Sequence, residues 1–368
     1  MITIELREGE GYMATSMNRR TFLSATGVAG LTGLALLSGC SNGGSASSSG
    51  QATASAQGGS SSTGGQAASS QAQGAAAGKT LAVGTLATED LLPLWVAQAE
   101  GMFKDGGVNV NIVPFQSATE LIAGVSSGEV DLAMTDIMVT ASMFASGVDV
   151  QMQWVTLGTE ADQGRFGIMV GPKSSVKSLT ELAGVPIGVG SNTILEYVMD
   201  KLMESAGVAD DKIVVEELQK LPVRYQAMVS GDVAAAALPG TLLALGEANG
   251  CALVADDTKG ENLSQSVMIV RAPLLSDSAN VQQIEALEDV WDAAAKLVNE
   301  NPEKYRKVLV ESANLPAEIA DTYPISKYPL VQLPTAAMVN PVLEWMQKKG
   351  YLTKPLSYDE KTGTFSAA

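Results

Sequence analysis

The chain of 368 residues contains no histidine, and this absence excludes several classes of active site. Nucleophile systems of the Ser-His-Asp and Cys-His types need an imidazole base, and H-E-x-x-H zinc sites need imidazole ligands. Cysteine is almost as scarce, because Cys40 and Cys251 are the two that the sequence has, and two thiols cannot build a sulfur-rich metal site. These absences remove the usual hydrolase machinery, although an enzyme could still use Asp, Glu, Lys or Tyr. We predict no metal and no cofactor.

Basic residues are also few, with 23 lysines and arginines against 40 aspartates and glutamates and a formal net charge of −17. Nucleic-acid binding needs clustered cationic side chains that pair with phosphates. The charge balance therefore excludes nucleic acid as a partner, and beyond that it favours solubility.

The N-terminal region has the parts of an export signal in order. Arg19-Arg20 precede an apolar run from Ala25 to Leu37, which is too short to span a bilayer and leads into Leu37-Ser-Gly-Cys40. The arginine pair resembles the twin-arginine (Tat) export motif, and the run before the cysteine resembles a bacterial lipoprotein box. We expect residues 1–40 to be a signal region that is cleaved before Cys40, which then carries lipid. A buried N-terminal helix and export by the general secretory route are the alternatives.

Two further N-terminal stretches are set apart by composition. Residues 1–16 are interpreted as lying outside the natural protein, because Arg7-Glu-Gly-Glu-Gly11 would have purine-rich codons, like a ribosome-binding site ahead of Met13. Residues 41–78 are almost purely Ser, Gly, Ala and Gln, and such a stretch cannot bury enough apolar surface to offset its ordering entropy. We predict that they form a disordered tether with a reach of about 35 Å.

From Lys79 onward, short apolar strands alternate with amphipathic helices, which is typical of an α/β fold with mostly parallel sheets. The last hundred residues are predicted to be nearly all helix. The predicted strands lie near 81–85, 108–114, 130–135, 150–157, 166–170, 186–190, 213–217, 233–238, 252–255 and 266–271.

An internal echo indicates two similar lobes. The segment Ser126-Ser-Gly-Glu-Val-Asp-Leu-Ala133 recurs 103 residues later as Val229-Ser-Gly-Asp-Val-Ala-Ala-Ala236. In both copies a predicted helix ends in Ser-Gly, a strand follows, and another helix comes next. Each lobe would present helix N-termini at the carboxyl ends of its strands, where open α/β sheets bind ligands.

The chain resembles the substrate-binding proteins of ABC importers, in the branch associated with nitrate, sulfonates, taurine and thiamine precursors. The resemblance is carried by Leu92-Pro-Leu-Trp95 with Ala99-Glu-Gly-Met-Phe103, by Ser127-Gly-Glu-Val-Asp-Leu-Ala-Met-Thr-Asp136, by Lys177-Ser-Leu-Thr-Glu-Leu-Ala-Gly184, and by Ser230-Gly-Asp-Val-Ala-Ala-Ala-Ala-Leu-Pro239. It implies a two-lobe fold of the periplasmic-binding-protein type 2 kind, with hinge crossover strands and a small molecule in the cleft. The expected lobes are 79–172 with 266–368, and 173–265.

The same resemblance places the cleft at four turns that follow strands, at residues 85–89, 135–136, 190–193 and 238–241. Thr193 and Glu196 are predicted to form a capping box at a helix start, and Ser117 and Glu120 are predicted to form a second one. The candidate ligand-binding residues are Thr85, Leu86, Glu89, Thr135, Asp136, Ser191, Asn192, Thr193, Pro239 and Gly240.

The charges near these turns favour an amine or a heterocycle as ligand over a simple oxyanion. Four carboxylates, of Glu89, Asp90, Asp136 and Glu196, lie close to predicted helix starts, where they either face the ligand or only complement the helix dipoles. The isolated basic candidates are Arg165, Arg224 and Arg271, and a surface position is expected for Arg224. Trp95 and Trp154 are expected in the core.

The resulting functional prediction is an extracytoplasmic lipoprotein, lipid-anchored to the cell membrane, that captures a small molecule between two lobes and delivers it to an ABC permease. It is predicted not to be an enzyme and to have no catalytic residue. Two alternatives come from other classes. One is a ligand-sensing or adhesive lipoprotein that docks a partner. The other is an enzyme that forms a thiamine precursor, which the absence of histidine disfavours.

The predicted anchor gives a direct test of the N-terminal interpretation. Replacing Cys40 with Ser removes the thiol that would carry the lipid, so the protein should leave the membrane fraction of its native host. Immunoblotting of membrane and soluble fractions measures this, with Cys251→Ser as the matched control that should stay on the membrane. Equal membrane retention of both variants would contradict the lipoprotein interpretation.

Overall fold

The computed structural model describes residues 79–260, 263–313 and 315–367, so the predicted signal region, lipidation site and tether lie outside the described residues. Strands and helices alternate along the first part of this body, as predicted. The strands are β1 (Leu81–Leu86), β2 (Val110–Phe115), β3 (Leu132–Asp136), β4 (Val150–Leu157), β5 (Phe166–Val170), β6 (Pro186–Val189), β7 (Val214–Glu217), β8 (Ala235–Pro239), β9 (Ala252–Asp256), β10 (Ser266–Arg271), β11 (Leu356–Asp359) and β12 (Thr364–Ala367).

Helices cover the faces of the sheets and make up most of the C-terminal third. They are α1 (Leu92–Ala99), α2 (Met102–Asp105), α3 (Ala118–Ser127), α4 (Ile137–Ala145), α5 (Ile194–Ser205), α6 (Leu221–Ser230), α7 (Gly240–Ala248), α8 (Ser278–Glu300), α9 (Arg306–Ser312), α10 (Ala317–Ala320) and α11 (Ala336–Lys349). None of the described helices is long and apolar enough to cross a membrane.

Two five-stranded sheets have the same topology. The first has the order β2-β1-β3-β10-β4, and the second has the order β7-β6-β8-β5-β9. In each sheet the first three strands are parallel, and the fourth in the order runs antiparallel to both of its neighbours. The antiparallel strand of each sheet comes directly after a strand of the other sheet in the chain. β5 follows β4 of the first sheet, and β10 follows β9 of the second sheet. This confirms the predicted two-lobe α/β fold.

The chain crosses between the lobes twice. The first crossover spans residues 158–165, between β4 and β5, and the second spans 257–265, between β9 and β10. The first change of sheet therefore comes earlier in the chain than the lobe boundary expected at residue 172, because β5 belongs to the second sheet.

The sequence echo occupies equivalent places in the two lobes. Helix α3 ends at Gly128 with φ of 82°, and helix α6 ends at Gly231 with φ of 89°. Both glycines adopt the left-handed conformation that closes helix C-termini, and each leads to the third strand of its sheet. The short repeat therefore encodes a chain reversal that both lobes need at the same point.

The C-terminal region departs from the predicted all-helical composition. Strands β11 and β12 form an antiparallel hairpin around the turn at 360–363, and the amide of Met152 in β4 donates to the carbonyl oxygen of Gly363 at 2.9 Å. The prediction missed this hairpin because its short strands are only partly buried and have no clear apolar period.

The core contains the tryptophans where they were expected. Trp154 on β4 is fully buried, with its ring centroid 5.8 Å from that of Trp291 on α8. Trp95 on α1 is also buried, in the same apolar cluster of the first lobe. Neither ring lines the cavity between the lobes.

The C-terminal cap of α6 gives a stability prediction. A Cβ added at Gly231 would touch nothing within 4 Å, so any loss of stability in Gly231→Ala comes from the left-handed backbone conformation and not from a steric clash. We expect it to lower the free energy of unfolding by about 1 kcal/mol. Urea denaturation measures the change, and Gly231→Asn is the control that should lose less. An unchanged urea midpoint for the alanine variant would contradict the argument.

Candidate functional site

A small cavity lies between the two lobes, at the carboxyl ends of the central strands. Its volume is about 60 Å³, enough for a few water molecules. Both lobes contribute to its wall, which is mainly apolar with a few polar groups. The lining side chains include Leu86, Thr88, Asp90, Ser117, Leu121, Met134, Thr135 and Asp136 from the first lobe, Phe166, Thr193, Ile194, Gln219, Leu221, Arg224 and Pro239 from the second, and Ser266 at the second crossover.

Asp136 joins the two lobes at the centre of this cavity wall. It is the N-cap of α4, where its Oδ1 accepts from the amide of Val139 at 2.7 Å. Its other oxygen, Oδ2, accepts from the amide of Ile194 at 3.1 Å, and Ile194 is the first residue of α5 in the other lobe. One buried carboxylate thus satisfies amide donors at the starts of two helices.

The pKa of Asp136 reflects two opposed effects. Burial, the larger one, raises the pKa to about 6, although the amides of Val139 and Ile194 stabilise the charged form. The carboxylate of Asp136 in the first lobe is thus the acceptor for the first amide of helix α5 in the second lobe.

The predicted capping box at Thr193 is wrong in part, because Thr193 does not cap α5. Its hydroxyl donates to the carbonyl oxygen of Gly190 at 2.7 Å, and Asp136 takes the position at the helix amide instead. Glu196 does fold back, as predicted, and accepts from the amide of Asn192 at 2.6 Å. The predicted capping box at Ser117 does form, because the Ser117 hydroxyl oxygen accepts from the amide of Glu120 at 3.2 Å.

Glu196 points away from the cavity, toward the C-terminal part of the chain. It is 1 % exposed, and it accepts from the Tyr351 hydroxyl at 2.7 and 2.9 Å and pairs with Lys349 Nζ at 3.0 Å. The same lysine pairs with Asp200 at 2.9 Å. This carboxylate is therefore committed to fastening α11 to α5 and is not available to a ligand in the cavity.

Further contacts cross the cleft near its edge. Asn192, which has a left-handed φ of 59°, donates through Nδ2 to the Ser142 hydroxyl of α4 at 2.5 Å. Lys220, just before α6, pairs with Glu120 of α3 at 2.7 Å. Together with the Asp136 hydrogen bond, these contacts hold the lobes closed on each other.

Glu89 and Asp90 lie side by side but face different surroundings. The Asp90 carboxylate lines the cavity and accepts from the Ser266 hydroxyl. Glu89 lies outside this cavity, and its Oε1 accepts from the Tyr323 hydroxyl at 2.7 Å. A Cβ on Gly240 would come within 2.9 Å of that Oε1 and 2.6 Å of the tyrosine oxygen, so the first residue of α7 must be glycine for this close approach.

The expectation that Arg224 lies at the surface is wrong. Arg224 is 2 % exposed, lines the cavity, and donates to the carbonyl oxygens of Leu218, Gln219 and Ala237 at 2.8 to 3.2 Å. Burial lowers its pKa to about 10. No carboxylate of the described residues forms an ion pair with it. Its burial depends on carbonyls from three separate positions, which a linear pattern does not reveal.

The predicted site residues fall into two groups. Leu86, Thr135, Asp136, Thr193 and Pro239 line the cavity, whereas Thr85, Glu89, Ser191, Asn192 and Gly240 lie around it. Thr85 is 1 % exposed and donates to the Leu86 carbonyl, and Ser191 donates through its amide and hydroxyl to Glu217.

Several lining residues were not predicted. Phe166 and Ser266 are the first residues of the two strands that follow the crossovers, and this position is the signal that could have identified them. Gln219 and Arg224 belong to the segment that joins β7 to α6. The described residues contain no group of three or more Cys, Asp or Glu side chains that could hold a metal ion.

Residues 88–308 match the family described as NMT1/THI5 like. No curated protein matches the chain by sequence. Among solved structures, the alkanesulfonate-binding protein SsuA from Xanthomonas axonopodis pv. citri bound to MOPS has 18 % identity and a TM-score of 0.64, covering 75 % of this chain and 94 % of that one.

Two other similar structures differ from each other in function. The ligand-binding component of an ABC-type import system from Staphylococcus aureus has 13 % identity and a TM-score of 0.64, with 77 % and 95 % coverage of this chain and that one. The desulfurization enzyme DSZB has 15 % identity and a TM-score of 0.58, with 75 % and 94 % coverage. These likenesses establish the fold that the chain shares with periplasmic binding proteins.

The hydrogen bond between Asp136 and Ile194 predicts how the lobes respond to one substitution. In Asp136→Asn an amide can keep the bond to Val139, but its NH2 group then faces the Ile194 amide, which loses its acceptor. We expect the closed form to lose about 1–3 kcal/mol relative to the open form. Small-angle scattering should show a larger radius of gyration for this variant than for wild type, with Asp105→Asn, at an exposed position, as control.

The burial of Asp136 predicts a pH dependence of stability. Burial raises its pKa to about 6 from an ordinary value of 3.8, so the folded protein binds a proton at this group more readily than the unfolded chain does. Lowering the pH from 7 to 5 should therefore raise the free energy of unfolding of the wild type relative to that of Asp136→Asn, which has no titrating group at this position. Urea denaturation at both pH values measures this, and the same change in both proteins would contradict the effect of burial on this carboxylate.

Proposed function

The chain belongs to the NMT1/THI5-like family, and from this premise we propose that it is the substrate-binding component of an ABC importer, which captures a small molecule between its lobes and delivers it to a permease. The observation that carries the proposal is the cavity between the lobes, because side chains from both lobes line it and two crossovers connect the lobes. In a fold of this kind, a substrate enters when the lobes separate and is enclosed when they close.

The residues of the site favour binding over catalysis. The fold alone does not decide this, because an enzyme is among the similar structures. The chain has no histidine to act as a base. Its one cysteine in the described part, Cys251, is 7 % exposed, does not line the cavity, and has its pKa raised by burial, so it is a poor nucleophile. We propose a binding protein without a catalytic role.

The ligand that suits the cavity is an amine or an amino-heterocycle. An anion would bind best at the starts of α4 and α5, but the Asp136 carboxylate already accepts from the amides there. A like charge about 4 Å away costs roughly 4 kcal/mol at an effective dielectric constant of 20. A helix terminus offers about 0.3–2 kcal/mol in return. At the helix starts beside Asp136, repulsion therefore exceeds attraction for a simple oxyanion.

The hydrogen-bond donors and acceptors in the cavity wall narrow the proposed class of ligand. Asp90 and Asp136 offer carboxylate oxygens to the amino groups of a ligand, while the guanidinium of Arg224 on the opposite lobe has N–H groups beyond its three carbonyl contacts to offer to ring nitrogens or carbonyl oxygens. Burying Arg224 without a carboxylate partner is costly, and a ligand acceptor beside it lowers this cost. A heterocycle that carries both an amino group and an acceptor matches both walls.

An adjoining cavity accommodates an apolar substituent. It has a volume of about 190 Å³ and shares Thr88, Leu221 and Pro239 with the first cavity. Its other lining side chains are mainly apolar and include Phe115, Pro222, Leu242, Leu245, Leu315 and Pro316. The proposed ligand therefore combines a polar head at Asp136 with an apolar part that extends toward Leu315.

The proposed location follows from the N-terminal sequence. An extracytoplasmic protein anchored through lipid on Cys40 would stay near its permease. The motif at Arg19-Arg20 favours export by the Tat route.

Calorimetric titration with a ligand panel tests the function and the ligand class. Nitrate, sulfate and taurine should bind weakly or not at all, and at least one amino-heterocycle should bind, with about tenfold or greater loss in Asp136→Asn, as expected when a charged hydrogen-bond partner is removed. Scattering at saturation should show compaction relative to the free protein. Tight binding of nitrate or an alkylsulfonate that Asp136→Asn leaves unchanged would overturn the ligand class.

A further inference from the structure

A further cavity, separate from the two described above, lies outside the cleft and beside both crossovers. Its volume is about 490 Å³. The first crossover contributes residues 160–165, the second contributes Thr258, and the loop after α10 contributes residues 323–327, with Glu89 completing the wall. The cavity therefore touches both connections between the lobes without sharing a lining residue with the cleft cavity.

Glu89 is the distinctive group in this wall. Its side chain is 5 % exposed, and Oε1 accepts from the Tyr323 hydroxyl at 2.7 Å, but the buried Oε2 has no hydrogen-bond partner among the described residues. A buried carboxylate oxygen without a donor is costly, and the great majority of such oxygens are satisfied in native proteins. The second oxygen thus requires a donor that the described part of the chain does not supply.

The nearby cations of the protein do not supply that donor in this structure. Arg165 is committed elsewhere, with Nε on Asp256 at 2.8 Å and both terminal nitrogens on Glu247 at 2.9 and 3.2 Å. Lys327 is exposed at the rim, and the exposed carboxylates of Glu160 and Asp162 lie at the rim as well. The wall therefore carries three carboxylates and one uncommitted cation, a balance that favours a positively charged occupant.

We propose that this cavity, which we call the crossover cavity, is a second binding site for a small organic cation with a primary ammonium group, which donates to Glu89 Oε2. Three ammonium N–H donors match one buried acceptor and the carboxylates at the rim, whereas a quaternary ammonium would leave Oε2 unsatisfied. Burial, followed by the charge of Asp90, raises the pKa of Glu89 to about 7, so this carboxylate is mostly ionised at pH 8.

A cation bound here contacts both segments that must bend when the lobes move. If it fits the closed arrangement of the crossovers better than the open one, it strengthens ligand binding in the cleft, and the cleft ligand strengthens cation binding by the same factor. This coupling rests on the proposed transport function, whereas cation binding itself does not.

Calorimetric titration of the full chain with n-propylammonium chloride at pH 8 tests the site, with 1-propanol and tetramethylammonium chloride as non-donating or uncharged comparisons. We expect saturable binding of the primary amine, about tenfold or more weaker in Glu89→Gln, because a charged acceptor is replaced by a neutral one of the same shape. Glu311→Gln, an exposed substitution on α9, is the matched control and should bind as wild type does.

Asp136→Asn separates this site from the cleft. Loss of propylammonium binding in Asp136→Asn but not in Glu89→Gln would place the amine in the cleft and overturn the second site, while leaving the proposed transport function standing. Equal binding by wild type and Glu89→Gln, or no saturable binding, would also overturn it. If Glu89→Gln does not fold, the ring resonances of Tyr323 in the labelled wild-type protein decide, because they should shift with propylammonium and not with propanol.

Discussion

The closed arrangement of this protein depends on one carboxylate that serves two helices. Asp136 ends β3, caps α4 in its own lobe, and accepts the first amide of α5 in the other lobe. Because α5 has no side-chain cap of its own, the second lobe is complete at this point only when the first lobe is closed on it. Asp136 therefore caps a helix, joins the two lobes and places a negative charge in the wall of the cavity.

For the proposed ligand class, the internal charge of Asp136 is the deciding feature. Helix starts that converge between two lobes attract an anionic ligand in general, because their amides are free and their dipoles align. Here Asp136 already accepts from the amides of Val139 and Ile194, and the other charged groups in the wall are Asp90, which accepts from Ser266, and Arg224, which has no carboxylate partner among the described residues. In the proposed binding mode, the cavity selects its ligand by matched donors and acceptors together with apolar contact.

Sequence patterns predicted the fold well and the site less completely, for physical reasons. The ten strands of the two sheets follow from short apolar runs between helical patterns, and Gly128 and Gly231 mark the repeat because a left-handed cap has a strong residue preference. Asp136 was identifiable because it directly follows the strand predicted near 130–135. The burial of Arg224 was not, since it depends on the carbonyls of Leu218, Gln219 and Ala237, and neither was the use of Asp136 as the cap of a helix 58 residues away.

The exchange of antiparallel strands has a consequence for the order of folding. Strand β10 lies between β3 and β4, so the first sheet stays in two pieces until residues 266–271 have been synthesised, long after β4 itself. The second sheet differs, because its five strands, β5 to β9, follow one another in the chain between residues 166 and 256. The second lobe can therefore form on the ribosome before the first lobe is complete, and the pairing of β10 with strands made much earlier favours slow, late folding of the first lobe.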